Sequence, residues 1–185
     1  NGSCYRKDKR GFMPEIIIAL YDERKKTKKE MLTLKQQAQT SSSPDLKRAI
    51  NKLDNTQMAV KILLNSLYGA LGNAYFRYFE MDIAEGITLS GQLSIRWAEK
   101  AMNETLNKVM KTDKDYVIAI DTDSLYVDLS DLVKAVDPSD PVKFIDKASE
   151  EKFVPALAKA YEKLAKQMNA YDNRMVMARE AIADR

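Results

Sequence analysis

The feature that most restricts how this chain can fold is the spacing of apolar residues between positions 44 and 71. Leu46, Ile50, Leu53, Gln57, Val60, Leu64 and Leu67 follow in alternating steps of 4 and 3, a coiled-coil seam with one polar interruption. Upstream, residues 14–40 read as another long helix, with Pro14 in its first turn and no glycine or further proline before Pro44. The run Thr40-Ser41-Ser42-Ser43-Pro44-Asp45 breaks the pattern, and Ser43 ahead of Pro44 is a good helix start. Two long helices joined by a short polar turn near Ser42-Ser43 must fold back as an antiparallel hairpin, with arms about 40 Å long.

The first arm has its own apolar stripe, Ile17, Leu20, Met31, Leu34 and Ala38, and the stripe lapses at Arg24 and Thr27. If the turn sits near Ser42-Ser43, facing positions sum to about 85, which sets Arg24 opposite Lys61 with Lys28 one helical turn on. Lys61, Asn65 and Tyr68, spaced four and three apart, share a face beside the seam. Cations that face each other repel unless an anion lies between them, and a triphosphate suits this number and spread of donors. The plainer alternative is long side chains splayed into water. Charge is uneven in the same sense: residues 1–52 carry 13 Lys/Arg against 6 Asp/Glu, and the remainder 17 against 21. A basic front fits an anionic partner such as nucleic acid or nucleotide, or simply a lysine-rich exposed helix.

Beyond Gly69 and Gly72 the character changes. Residues 81–110 predict a third helix with Ala84, Ile87, Gly91, Ile95, Ala98, Met102, Leu106 and Val109 on one face, Gly91 and Ala98 allowing another backbone to come close. Residues 141–170 predict a further helix with Val154, Leu157, Tyr161, Leu164 and Met168 on one face, and Met175-Val176-Met177 reads as a short strand. Between them YVIAIDTDSLYVDL, residues 116–129, alternates like paired strands. With the turn at Thr122-Asp123, Asp121 faces Ser124, Ala119 faces Tyr126 and Val117 faces Asp128. The opposite face, Tyr116, Ile118, Ile120, Leu125, Val127 and Leu129, is then the buried one. Thr-Asp lacks the positive-φ preference of a good hairpin turn, so something other than turn propensity selects two acids here.

What that is can be narrowed by exclusion. The chain has no histidine and one cysteine, Cys4, which removes His-based acid–base and nucleophile chemistry, an internal disulfide and Cys-rich zinc sites. It also lacks an apolar run long enough for a membrane span and any signal-peptide pattern. A metal held here is a hard cation on carboxylate oxygens, and such a cation relieves the repulsion between Asp121 and Asp123.

Taken together, the motifs resemble family B (alpha-like) DNA polymerases, especially those of T-even-type bacteriophages. K-x-x-x-N-S-x-Y-G at Lys61–Gly69 is similar to the family's fingers motif, D-T-D-S at Asp121–Ser124 to its palm metal motif, D-E-R-K-K-T-K at Asp22–Lys28 to the partner fingers helix, and R-E-A-I-A at Arg179–Ala183 to a later palm segment. The resemblance implies that Arg24, Lys28 and Lys61 bind the triphosphate of an incoming deoxynucleotide, and that Asn65, Tyr68 and Gly69 line the pocket for the new base pair. It implies that Asp121 and Asp123 are catalytic, Asp123 binding Mg2+ with Asp121 helping to order the site, and that Glu180 is a supporting carboxylate. The implied chemistry is two-metal nucleotidyl transfer on a DNA primer–template, in the cytoplasm of a host cell if the source is viral. Ile120 stands where the family usually has Gly, and Ala178 where an acid is expected. The D-x-x-S-L-Y-P-S palm segment, the exonuclease motifs and the thumb are absent, so the chain reads as a piece with an incomplete metal site, expected to be inactive in isolation.

The expected fold is α/β of the α+β kind and mostly helical. Residues 1–72 form a fingers helical hairpin, and residues 73–185 a partial palm with a short antiparallel β-hairpin packed on helices. An uncovered palm sheet edge, with Val117, Ala119 and Tyr126 open, predicts self-association. The competing readings are a non-catalytic nucleic-acid-binding hairpin, which does not predict the acidic pair, and a helical scaffold whose Asp pair is only a turn, which does not predict the converging cations.

Overall fold

The computed structural model describes residues 2–41 and 43–183; Ser42, part of the expected turn, lies outside them. The chain divides into two compact units, one running to Gly86 and the other beginning at Ile87.

The first unit is built on the helical hairpin. Helix α1 spans Phe12–Thr40 and α2 spans Pro44–Leu71, packed along their length. Ser43 caps α2 as its sequence predicts, its Oγ accepting from the Leu46 N–H at 3.1 Å, and Pro44 takes the first-turn place where no N–H is needed. All seven seam positions of α2 are shielded, with Gln57 the most buried and its Nε2 donating to Asp54 Oδ1 at 2.8 Å. On α1, Leu20, Met31, Leu34 and Ala38 are shielded, whereas Ile17 is 40% exposed. Arg24 and Thr27 are half-buried in the same stripe, so the seam carries a polar layer in its middle. Past Gly72 the chain turns back, Glu80 N bonding Leu71 O at 3.1 Å, and Tyr78 packs edge-on against Phe12 with ring centroids 5.0 Å apart.

Helix α3, Met81–Met110, begins in the first unit and supplies the floor of the second. Ile95, Ala98, Met102 and Leu106 are buried as the periodicity predicts. Ile87 and Val109 are exposed instead, at 47% and 57%, and a Cβ added at Gly91 would meet nothing within 4 Å, so no backbone packs closely there. After α3 come β1 (Val117–Asp121), β2 (Ser124–Val127) and a short helix α4 (Ser130–Val136) that the spacing did not predict. The expected helix over 141–170 is α5 (Pro141–Ala148), a π turn (Ser149–Phe153) and α6 (Val154–Gln167). Pro155 explains the π turn. It has no N–H to offer the carbonyl four residues back, and the Val154 N–H bonds five residues back to Ser149 O. Phe144, Ala148, Phe153, Leu157, Tyr161 and Leu164 all belong to or pack on one core, and the step of five between Ala148 and Phe153 is the one a regular helix could not keep in line. Trp97 Nε1 ties α3 to α6 through Ala160 O at 3.0 Å. Met168, expected on the inner face of α6, is 58% exposed at its frayed end.

Two expectations for the strands are corrected. The tip pairs as predicted, Asp121 with Ser124 and Ala119 with Tyr126, but a bulge between Val117 and Ala119 pairs Val117 with Val127, not Asp128. Val117 is therefore buried, and Ile118 and Ile120, both expected inside, are exposed, Ile118 at 71%. The expected uncovered patch for self-association loses Val117 and keeps Ala119 and Tyr126. Met175-Val176-Met177 joins no ladder among the described residues; Met177 packs on the core, with Tyr161 Oη donating to its Sδ at 3.3 Å. No helix among the described residues is long and apolar enough to cross a membrane.

Two outcomes check this packing. Ser43→Ala should destabilise the hairpin by about 1 kcal/mol, read as faster amide exchange in the first turn of α2. Burial raises the Tyr161 hydroxyl above the ordinary tyrosine value of 10.0, so the native state keeps that proton longer than the unfolded chain. The resulting stabilisation is complete below the ordinary value and is lost as pH rises through the folded one. Alkaline melting curves of wild type should therefore fall more steeply than those of Tyr161→Phe.

Candidate functional site

Of the hairpin's candidate basic residues, Arg24 lies in the seam. Arg24 is half-buried, and its Nε is a buried donor with no hydrogen-bond partner among the described residues. A buried donor without an acceptor costs roughly 1–3 kcal/mol, more for a charged group, so this position is unfavourable by itself. Lys28 and Lys61 stand exposed in α1 and α2. Asn65 and Tyr68 lie exposed on α2, and Gly69, in its last turn, has nothing within 4 Å of where a Cβ would lie. Helical glycine costs about 0.5–1 kcal/mol relative to alanine. Packing within this chain gives no reason for that cost.

In the second unit Asp121 ends β1 and Asp123 precedes β2, both exposed. Thr122 between them has φ 51°, the left-handed region that β-branched residues rarely adopt, and its Oγ1 donates to Asp121 Oδ1 at 3.2 Å. Strain of this kind is common where a turn is selected for what it presents. Ile120, the bulky residue before the motif, is accommodated as an ordinary ladder position opposite Leu125. Two exposed carboxylates one residue apart suit magnesium, which takes one or two carboxylates and completes its shell with water and substrate phosphates. No group of three or more potential metal-ligating residues forms among the described residues. Glu180 sits in the segment after α6, beside an open cleft of about 370 Å³ lined by Val142, Lys143, Asp146 and Arg179, with Arg179 ion-paired to Asp146.

A sequence model of DNA polymerase family B matches residues 3–164. The chain belongs to that family. Among the family B polymerases it resembles, the DNA-directed DNA polymerase of Enterobacteria phage T4 is 32% identical over 231 aligned positions, covering 99% of this chain and 26% of the relative. That of Escherichia phage RB69 is 31% identical with the same coverage, and the DNA polymerase of Pyrococcus glycovorans is 35% identical over 65% of this chain. The chain thus spans about a quarter of the length of the phage relatives it matches.

What residue-by-residue reading missed is the support beneath the acidic turn. Asn103, Asn107 and Asp115 hold the backbone that enters β1. The available signal was a pair of asparagines four apart inside a long helix, where asparagine is an unfavourable choice.

If Thr122 is strained, Thr122→Gly should stabilise the second unit by about 1 kcal/mol. Urea unfolding followed by Trp97, the sole tryptophan, reads this directly. Destabilisation would mean that the bond to Asp121 outweighs the backbone strain.

Proposed function

We propose that this chain forms the fingers, residues 1–72, and part of the palm, residues 73–185, of a template-directed DNA polymerase. Arg24, Lys28 and Lys61 bind the triphosphate of the incoming nucleotide, supplying fixed positive charge to its phosphates. Asn65, Tyr68 and Gly69 line the pocket for the new base pair, and the missing Cβ at position 69 leaves room for it. Asp121 and Asp123 hold Mg2+, and Glu180 is a supporting carboxylate. Magnesium, when bound, neutralises phosphate charge and makes the primer 3′-hydroxyl a better nucleophile. The partners on this reading are primer–template DNA and deoxynucleoside triphosphates, as the names of the phage relatives imply.

The observation that carries the reading is Arg24, whose buried Nε lacks an acceptor among the described residues in the middle of an apolar seam. A phosphate oxygen is the acceptor such a group needs. At ten times its Kd, a nucleoside triphosphate should stabilise the hairpin by about 1.4 kcal/mol at low salt. Lys61→Ala should remove most of the resulting rise in melting temperature. Equal shifts in wild type and variant would refute the triphosphate site. A Lys61-dependent shift with single-stranded DNA and none with nucleotide would favour the nucleic-acid-binding hairpin.

A further inference from the structure

A regular strand turns successive side chains to opposite faces. The entry to β1 departs from this, because adjacent Tyr116 and Val117 are both buried, at 1% and 7% exposure. A side chain from α3 makes the departure possible. Asn103 Oδ1 accepts from Tyr116 N at 2.9 Å and from Val117 N at 3.2 Å. Asn103 Nδ2 donates to Asp115 Oδ1 at 2.6 Å, and that carboxylate oxygen also accepts from Val117 N, at 3.0 Å. The amide can point only one way, since its oxygen alone can accept from two N–H donors. One turn further along α3, Asn107 grips the Lys114 backbone at both ends, Oδ1 accepting its N–H at 3.0 Å and Nδ2 donating to its carbonyl at 2.8 Å.

These amides decide where the ladder starts. With the Val117 N–H drawn to Asn103 and Asp115, Val117 pairs Val127 while Ala119 pairs Tyr126, and Ile118 is the extra residue. A one-residue shift exchanges the faces of everything beyond it. Asp121 and Ser124 therefore keep their face relative to the core only while the bulge exists. We infer that Asn103 is a positioning residue for the Asp121-Thr122-Asp123 turn, acting with Asp115 through the bulge at Ile118. The consequence for cation binding rests on the proposed role of Asp121 and Asp123; the consequence for register does not.

The test uses this chain as wild type, Asn103→Ala, Asn103→Asp, the exchange Asn103→Asp with Asp115→Asn, and Leu164→Ala as a core truncation. Nuclear Overhauser contacts between Val117 and Val127 report the bulge. Mn2+ broadening of the amide signals of residues 121–124 reports the cation site. Asn103→Ala should lose the contact and need about tenfold more Mn2+ for equal broadening. The exchange keeps an oxygen at position 103 for the Tyr116 and Val117 N–H groups and a hydrogen bond between the two side chains, now donated from position 115, and gives up only the second bond of the Val117 N–H. It should therefore regain both signals in large part, whereas Leu164→Ala should lower the melting temperature and change neither. If Asn103→Ala does not fold, the exchange against Asn103→Asp decides. A folded Asn103→Ala with the wild-type contact, or an exchange no better than Asn103→Asp, overturns the inference. Absence of Mn2+ broadening in wild type overturns the cation reading alone, and the contacts still decide the role of Asn103.

Discussion

The hydrogen bonds from two backbone N–H groups to one asparagine oxygen are the point from which the second unit is organised. Tyr116 and Val117 close the core that α3, α4 and α6 build, and burying both consecutively without Asn103 would strand the Tyr116 N–H and leave the Val117 N–H to the Asp115 carboxylate alone. The apolar gain is large, since full burial of a side chain of this size contributes roughly 1.5–3 kcal/mol. Satisfying the two donors keeps most of that gain from being lost to desolvation. The same bonds delay the regular ladder by one residue, and so couple core packing to the orientation of the acidic turn.

The helical hairpin solves a different problem. Its seam is apolar toward both ends, and Gln57, Thr27 and Arg24 form a polar layer between. Gln57 and Thr27 are satisfied within their own helices, by Asp54 and by Glu23 O. Arg24 Nε is not. The layer therefore contributes little to holding the helices together, and its cost is carried by the leucines and Met31 on either side. A polar residue in such a seam also fixes the alignment of the two helices, because sliding would bring it against apolar neighbours.

How much of this was legible in sequence follows from the range of the interactions. The seam of α2 and the Ser43 cap were readable because periodicity and capping are set within a few residues. Arg24 was readable as a gap in a stripe. The inward face of β1 was not, because Val117 is turned inward by a side chain fourteen residues away on another element. The short helix α4 is too brief to show a repeat, and the Met175–Met177 segment, which joins no ladder, is held by a long-range thioether contact from Tyr161 that no local pattern signals. The acids of the D-T-D-S motif were evident, whereas the left-handed backbone at Thr122 and the clamp beneath it were visible only in three dimensions.

The π turn at Ser149–Phe153 bears on how this unit can change over time. A helix that already holds one residue in a wide turn has a place where length can vary. Loss of a residue there would tighten the turn toward ordinary helix, and the pressure against it comes from Pro155 rather than from the core. Gain or loss of a residue between the π turn and Leu157 would instead rotate Leu157, Tyr161 and Leu164 off the core together. The turn is thus the joint at which a lineage can lengthen or shorten this helix while its inward face stays in phase.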